Sequence, residues 1–154
     1  MKKRIICFVL VLAMAAAMIP AVSAAEHGMV DIVGHWAEND IAWVIDMGLF
    51  NGTSATTFNP NGSMTRGMFV TVLGRFAGID PDDYEDWYLP DLYKDVDADT
   101  YYAPYINWAT RPGITSGTSR TTFSPNAPIT REQMATFLLR FANCYGYVFE
   151  PIRE

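Results

Sequence analysis

From Trp36 onward the apolar positions follow a helical spacing, give way to a polar stretch with one large anchor, then return to a helical spacing. Trp36, Ile41, Val44, Ile45 and Met47 share one side of a helical projection, which predicts an amphipathic helix over Trp36 to Met47. Gly48 follows the last periodic residue, where a left-handed C-terminal cap belongs. Between Gly52 and Met64 the composition turns to Gly, Thr, Ser, Asn and Pro with Phe58 as its large apolar side chain, predicting an ordered loop pinned by that ring. Thr65 then opens a second helix, in which Phe69, Val72, Leu73 and Phe76 recur at intervals of three and four.

The same succession occurs again 65 residues later. Ile41-Ala42-Trp43 meets Ile106-Asn107-Trp108, Gly48 meets Gly113, and Gly52-Thr53-Ser54 meets Gly117-Thr118-Ser119. Thr56-Thr57-Phe58 meets Thr121-Thr122-Phe123, and Thr65-Arg66 meets Thr130-Arg131. Upstream the match slips by one residue, with Asp31-Ile32 against Asp95-Val96. In the second copy Met134, Phe137, Leu138 and Phe141 carry the helical period, Thr130 and Gln133 form a capping box, and Pro112 shortens the preceding helix. The chain therefore reads as mainly α, two copies of one helix-loop-helix unit. Residues 26–78 form the first copy, 79–92 an acidic linker, 93–145 the second copy, and 146–154 a tail.

The first 25 residues stand apart. Met1-Lys2-Lys3-Arg4, an apolar run from Ile5 to Val22 and the small residues Ser23-Ala24-Ala25 predict a cleavable secretory signal peptide, with cleavage after Ala24 or Ala25. Its removal leaves 8 basic against 17 acidic residues, a formal charge of −9 in place of −6. That balance disfavours nucleic acid and anionic lipid as partners, and no membrane partner is expected once the signal is cleaved. Cys7 leaves with the signal, so Cys144 is the single thiol of the exported chain, without a disulfide or a cysteine zinc site.

Catalytic readings find little to work with. His27 and His35 are the two histidines, neither is repeated, and His35 beside Trp36 reads as a helix-start residue. No phosphate loop, nucleophile elbow or His-Glu-x-x-His motif is present, and no cofactor is implied. The acidic run Asp80 to Asp86 and the pair Asp97, Asp99 lack the spacing of a calcium loop and read as solvated surface without a metal.

The ordered matches resemble the S-layer homology domain. They are Asp31, Trp36-Ala37, Ile41, Gly48, Gly52-Thr53, Phe58-Asn59-Pro60 and Met64-Thr65-Arg66, then Asp95, Ile106, Gly113, Gly117-Thr118, Phe123-Ser124-Pro125 and Ile129-Thr130-Arg131. The resemblance implies a secreted, non-catalytic module at the bacterial cell surface that anchors to a secondary cell-wall polysaccharide, commonly pyruvylated. It also implies a three-pronged, pseudo-threefold spindle, of which two repeats supply a part. A third repeat in trans or a homo-oligomer would complete it. Two other readings stay open: a protein assembly module, and the targeting fragment of a longer wall enzyme.

On that reading Arg66 and Arg131, just inside helix N-termini, would pair with a carboxylate that free backbone N–H groups also bind. Thr65 and Thr130 would line the same place and cap the helices. Gly52-Thr53 and Gly117-Thr118 would bring backbone and hydroxyl groups close to a sugar, and Trp43 and Trp108 would offer flat apolar faces, or pack in the core. Arg66 and Arg131 are equally candidates for ion pairs with Asp31 and Asp95.

Overall fold

A computed structural model describes residues 28–84 and 92–147 of the 154-residue chain. The expected signal peptide, the middle of the acidic stretch and most of the tail lie outside the described residues. The helices α1 (Glu38–Asp46), α2 (Arg66–Phe76), α3 (Ala103–Thr110) and α4 (Arg131–Cys144) alternate with loops, and the described backbone pairing is limited to the isolated bridges Thr65 with Pro128 and Ser119 with Thr122. The chain is mainly α, as the periodicity predicts.

Local chemistry sets the helix ends. His35 Nδ1 accepts the Ala37 N–H at 3.2 Å, making His35 a helix-start residue. Trp36 lies in that turn, outside α1, and is 88% exposed, so it leaves the apolar side that spacing assigns to it. Thr130 caps α4 by accepting from Gln133 N at 3.3 Å, and Gln133 Oε1 accepts the Thr130 N–H at 3.3 Å. Thr65 caps α2 in the same way, with Met68 Sδ taking the reciprocal role at 3.5 Å, an acceptor that sequence reasoning passes over. Gly48 and Gly113 take φ of 67° and 77° beyond the ends of α1 and α3, a conformation that costs a side-chain-bearing residue about 1–2 kcal/mol.

The chain divides into two compact units. One holds the described residues up to Ile45 with Gly52–Asn59; the other holds Asp46–Asn51 and the described residues from Pro60 onward. The first is built on Met29, Ile32, Ala37 and Ile41, with Ile45 and Phe58 packed against them. The second has the larger core, in which Phe69, Val70 and Leu73 of α2, Ile106 and Trp108 of α3, Phe137 and Phe141 of α4, and the loop residues Ile114 and Phe123 are buried together. Phe76 and Leu138, expected among the apolar positions of their helices, remain largely exposed. The described part of the acidic stretch forms a 3-10 turn, Pro81–Tyr84, tied to α3 by Asn107 Nδ2 donating to Tyr84 O at 3.0 Å.

Candidate functional site

Both loops are held by an aspartate near the start of the repeat. Asp31 Oδ1 and Oδ2 accept from the N–H groups of Phe58 at 2.8 Å and Asn59 at 2.7 Å. Asp95 accepts identically from Phe123 at 2.8 Å and Ser124 at 2.7 Å. Asn59 and Ser124 each sit at φ 60°, and the two carboxylate bonds hold the chain in this uncommon conformation. The N–H of Phe58, then that of Asn59, favours the ionised form of Asp31 and draws its pKa below the usual value, outweighing desolvation. The aspartates thus serve the loop backbone and not the arginine pair that the sequence allows. An Asp about 27 residues ahead of a Phe-x-Pro in both copies was the available signal.

Beyond the clamp the two loops close alike. Thr53 N and Oγ1 both donate to Thr57 O, at 2.7 and 3.2 Å, while Thr118 N and Oγ1 donate to Thr122 O at 2.8 and 3.2 Å. The Thr118 hydroxyl also meets Ser124 Oγ at 2.7 Å. Gly52 and Gly117 are required by this closure: a Cβ at either would stand 2.5 Å from Thr57 O or Thr122 O respectively. The room that their missing side chains leave is filled by the loop's own carbonyls.

The two Thr-Arg helix starts, identical in sequence, are placed differently. Arg66 is 3% exposed. Its Nε donates to Phe123 O at 2.9 Å and its Nη2 to Ser116 O at 3.0 Å, both in the second repeat's loop. The guanidinium carbon lies 4.7 Å from the Phe123 ring centroid and 5.3 Å from that of Phe137, a cation over two aromatic rings. Backbone bonds join the same segments: Arg66 N to Ala127 O and Gly67 N to Pro125 O at 2.9 Å, and Ile129 N to Met64 O at 3.1 Å. Burial lowers the Arg66 pKa, and the nearby Tyr93 and Asp95 oppose that. Arg131 is exposed, and among the described residues its guanidinium meets no partner. Thr65 is half-buried at its bridge to Pro128, whereas Thr130 is exposed.

The tryptophans divide as well. Trp43 is 58% exposed on α1. Trp108 is 5% exposed, edge-on to Phe141 with ring centroids 6.3 Å apart, and so is a core residue whose face is closed to a ligand. Of the residues singled out from sequence, Arg131, Thr130, Thr53, Thr118 and Trp43 reach the surface, while Arg66 and Trp108 build the interior and Gly52 and Gly117 shape the loops.

The sequence profile of the S-layer homology domain matches residues 29–67 and 92–135, two stretches that include both clamps and both Thr-Arg starts. An endoglucanase of Bacillus sp. (strain KSM-635) is 33% identical over 112 residues, covering 68% of this chain and 10% of that protein. A surface-layer 125 kDa protein of Lysinibacillus sphaericus is 27% identical over 125 residues, 81% of this chain and 10% of the relative. An S-layer protein of Bacillus anthracis is 25% identical over 142 residues, 92% of this chain and 16% of the relative. The chain thus spans between a tenth and a sixth of these proteins, and the shared stretch accompanies both an enzyme and surface-layer proteins.

Proposed function

The chain belongs to the S-layer homology domain family, and from that membership we propose that it is a non-catalytic module anchoring at the bacterial cell wall by binding a secondary cell-wall polysaccharide. The observation that carries this reading is the exposed start of α4. Thr130 and Arg131 present a cation that meets no partner among the described residues, where backbone N–H groups and the helix dipole favour an anion, and an acidic sugar substituent such as a pyruvate ketal supplies one. Trp43 adds an exposed apolar face for a pyranose ring, and Thr53 and Thr118 add loop hydroxyls. Arg66, Thr65, Trp108, Gly52 and Gly117 act in this proposal as the frame. That the matched stretch occurs in an endoglucanase as well as in surface-layer proteins supports a role independent of any one catalytic domain.

Co-sedimentation with cell-wall sacculi, before and after chemical removal of the secondary polymer, tests the proposal. Binding lost on stripping supports it; folded protein that ignores untreated sacculi overturns it. Arg131→Ala should weaken binding by roughly tenfold, the equivalent of about 1.4 kcal/mol for one charge-assisted contact, without altering thermal stability.

A further inference from the structure

The second unit contains one complete joint between repeats, in which α2 lies against α3. Arg66, Gly67, Val70, Thr71 and Gly74 are buried along that side of α2. Two of them are glycines for a steric reason: a Cβ on Gly67 would come within 3.1 Å of the Tyr102 ring, and one on Gly74 within 3.0 Å of Tyr105 Cε1. The joint is therefore keyed by small residues on α2 and large ones at the start of α3.

Shifted by the repeat length of 65, that side of α2 becomes Arg131, Glu132, Ala135, Thr136 and Leu139 of α4, and all five are exposed. The start of α3 becomes the start of α1 by the same shift. The helices begin in register, and Ile41 N donates to Ala37 O as Ile106 N donates to Tyr102 O. Tyr102 is thereby replaced by Ala37, which the core of the first unit already largely covers, and Tyr105 by the exposed Asp40. At both keyed positions the sizes are exchanged: Gly67 against Tyr102 becomes Glu132 against Ala37, and Gly74 against Tyr105 becomes Leu139 against Asp40. Asp95, beside Arg66 in the made joint, has Asp31 as its counterpart for Arg131, while Glu132 and Asp40 add carboxylates that the made joint lacks.

We propose that the exposed side of α4 on one copy of this chain docks on the start of α1 of a second copy, repeating head-to-tail the joint that α2 and α3 make within one chain. Such a contact is heterologous: every copy offers one plug and one seat, so association closes into a ring or continues as a chain of copies. The reciprocal exchange of large and small residues at two positions selects this chain's own repeat one as the occupant.

Mass measured by light scattering or sedimentation equilibrium over a wide concentration range tests the proposal on the purified chain. The wild type should grow from monomer to assembly with concentration. Leu139→Asp removes the plug and Asp40→Tyr fills the seat; both positions are exposed, so circular dichroism should stay unchanged. Each variant alone should remain monomeric to at least roughly tenfold higher concentration, the loss expected of a central contact. Mixed together they should form a 1:1 pair, because the first retains its seat and the second its plug. A wild type that is monomeric throughout, variants that assemble as it does, or a mixture that stays monomeric each overturns the proposal, the last pointing to a two-fold contact or a different protein. The joint would cover Arg131, on which the anchoring reading rests. The monomeric variants, in which Arg131 stays exposed, should therefore bind sacculi at least as well as the wild type, and weaker binding by them would overturn the placement of Arg131 in the joint.

Discussion

Replacing Arg66 and Arg131 by methionine, one at a time, compares two arginines with the same local sequence and different surroundings. At Arg66 the change removes two hydrogen bonds, at 2.9 and 3.0 Å, and leaves Phe123 O and Ser116 O without that donor. A buried acceptor left unpaired costs about 1–3 kcal/mol. The stacking of the guanidinium over Phe123 and Phe137 contributes of order 1 kcal/mol more, and methionine recovers much of the apolar contact while relieving the desolvation of a buried charge. The net expectation is a loss of about 3 kcal/mol, which for a domain of this size lowers the midpoint of thermal unfolding by roughly 10 °C. Arg131→Met, at an exposed side chain, should stay within about 0.5 kcal/mol of wild type. Urea unfolding followed by circular dichroism reads both. Equal losses at the two positions, or none at either, would refute the assignment of Arg66 to the joint.

Three further expectations follow from the packing and the clamps. Gly74→Ala should destabilise by about 1–3 kcal/mol because its methyl has no room beside Tyr105, whereas Leu139→Ala at the equivalent place should be nearly neutral in the monomer; denaturant midpoints separate the two. Asp95→Asn retains one acceptor for two N–H groups and should cost about 1–3 kcal/mol, read in the same way. The pKa of Asp31 is lowered in the folded chain, so its stabilising contribution is complete above the ordinary value of 3.8 and is lost as pH falls through the folded value. Acid unfolding followed by tryptophan fluorescence should therefore be less steep below that pH in Asp31→Asn than in wild type, and equal slopes would exclude the clamp as the cause.

Whatever depends on neighbours in sequence is legible in the chain itself. The Thr130 and Gln133 capping box, the left-handed Gly48 and Gly113, and His35 at a helix start all arise from contacts spanning a few residues, and residue type and spacing suffice to find them. What separates Arg66 from Arg131 lies 50 to 57 residues away along the chain, in a loop that reaches the first and not the second. Trp43 and Trp108 illustrate the same point. Both stand two residues after an isoleucine in the same motif, and of the two Trp108 has Phe141 and Tyr145 packed on it. The aspartates stood out by repetition, but charge suggested the arginines as partners. Backbone N–H groups held at positive φ, invisible in a residue string, are the partners they have.

The chain passes from one unit to the other after Ile45, Asn51 and Asn59, all inside the first repeat, so the stretch that is copied in the sequence and the body that packs are out of phase. The helix that carries Arg66 belongs by sequence to the first repeat and by packing to the body of the second, so neither repeat cut out alone would keep both halves of the Arg66 joint.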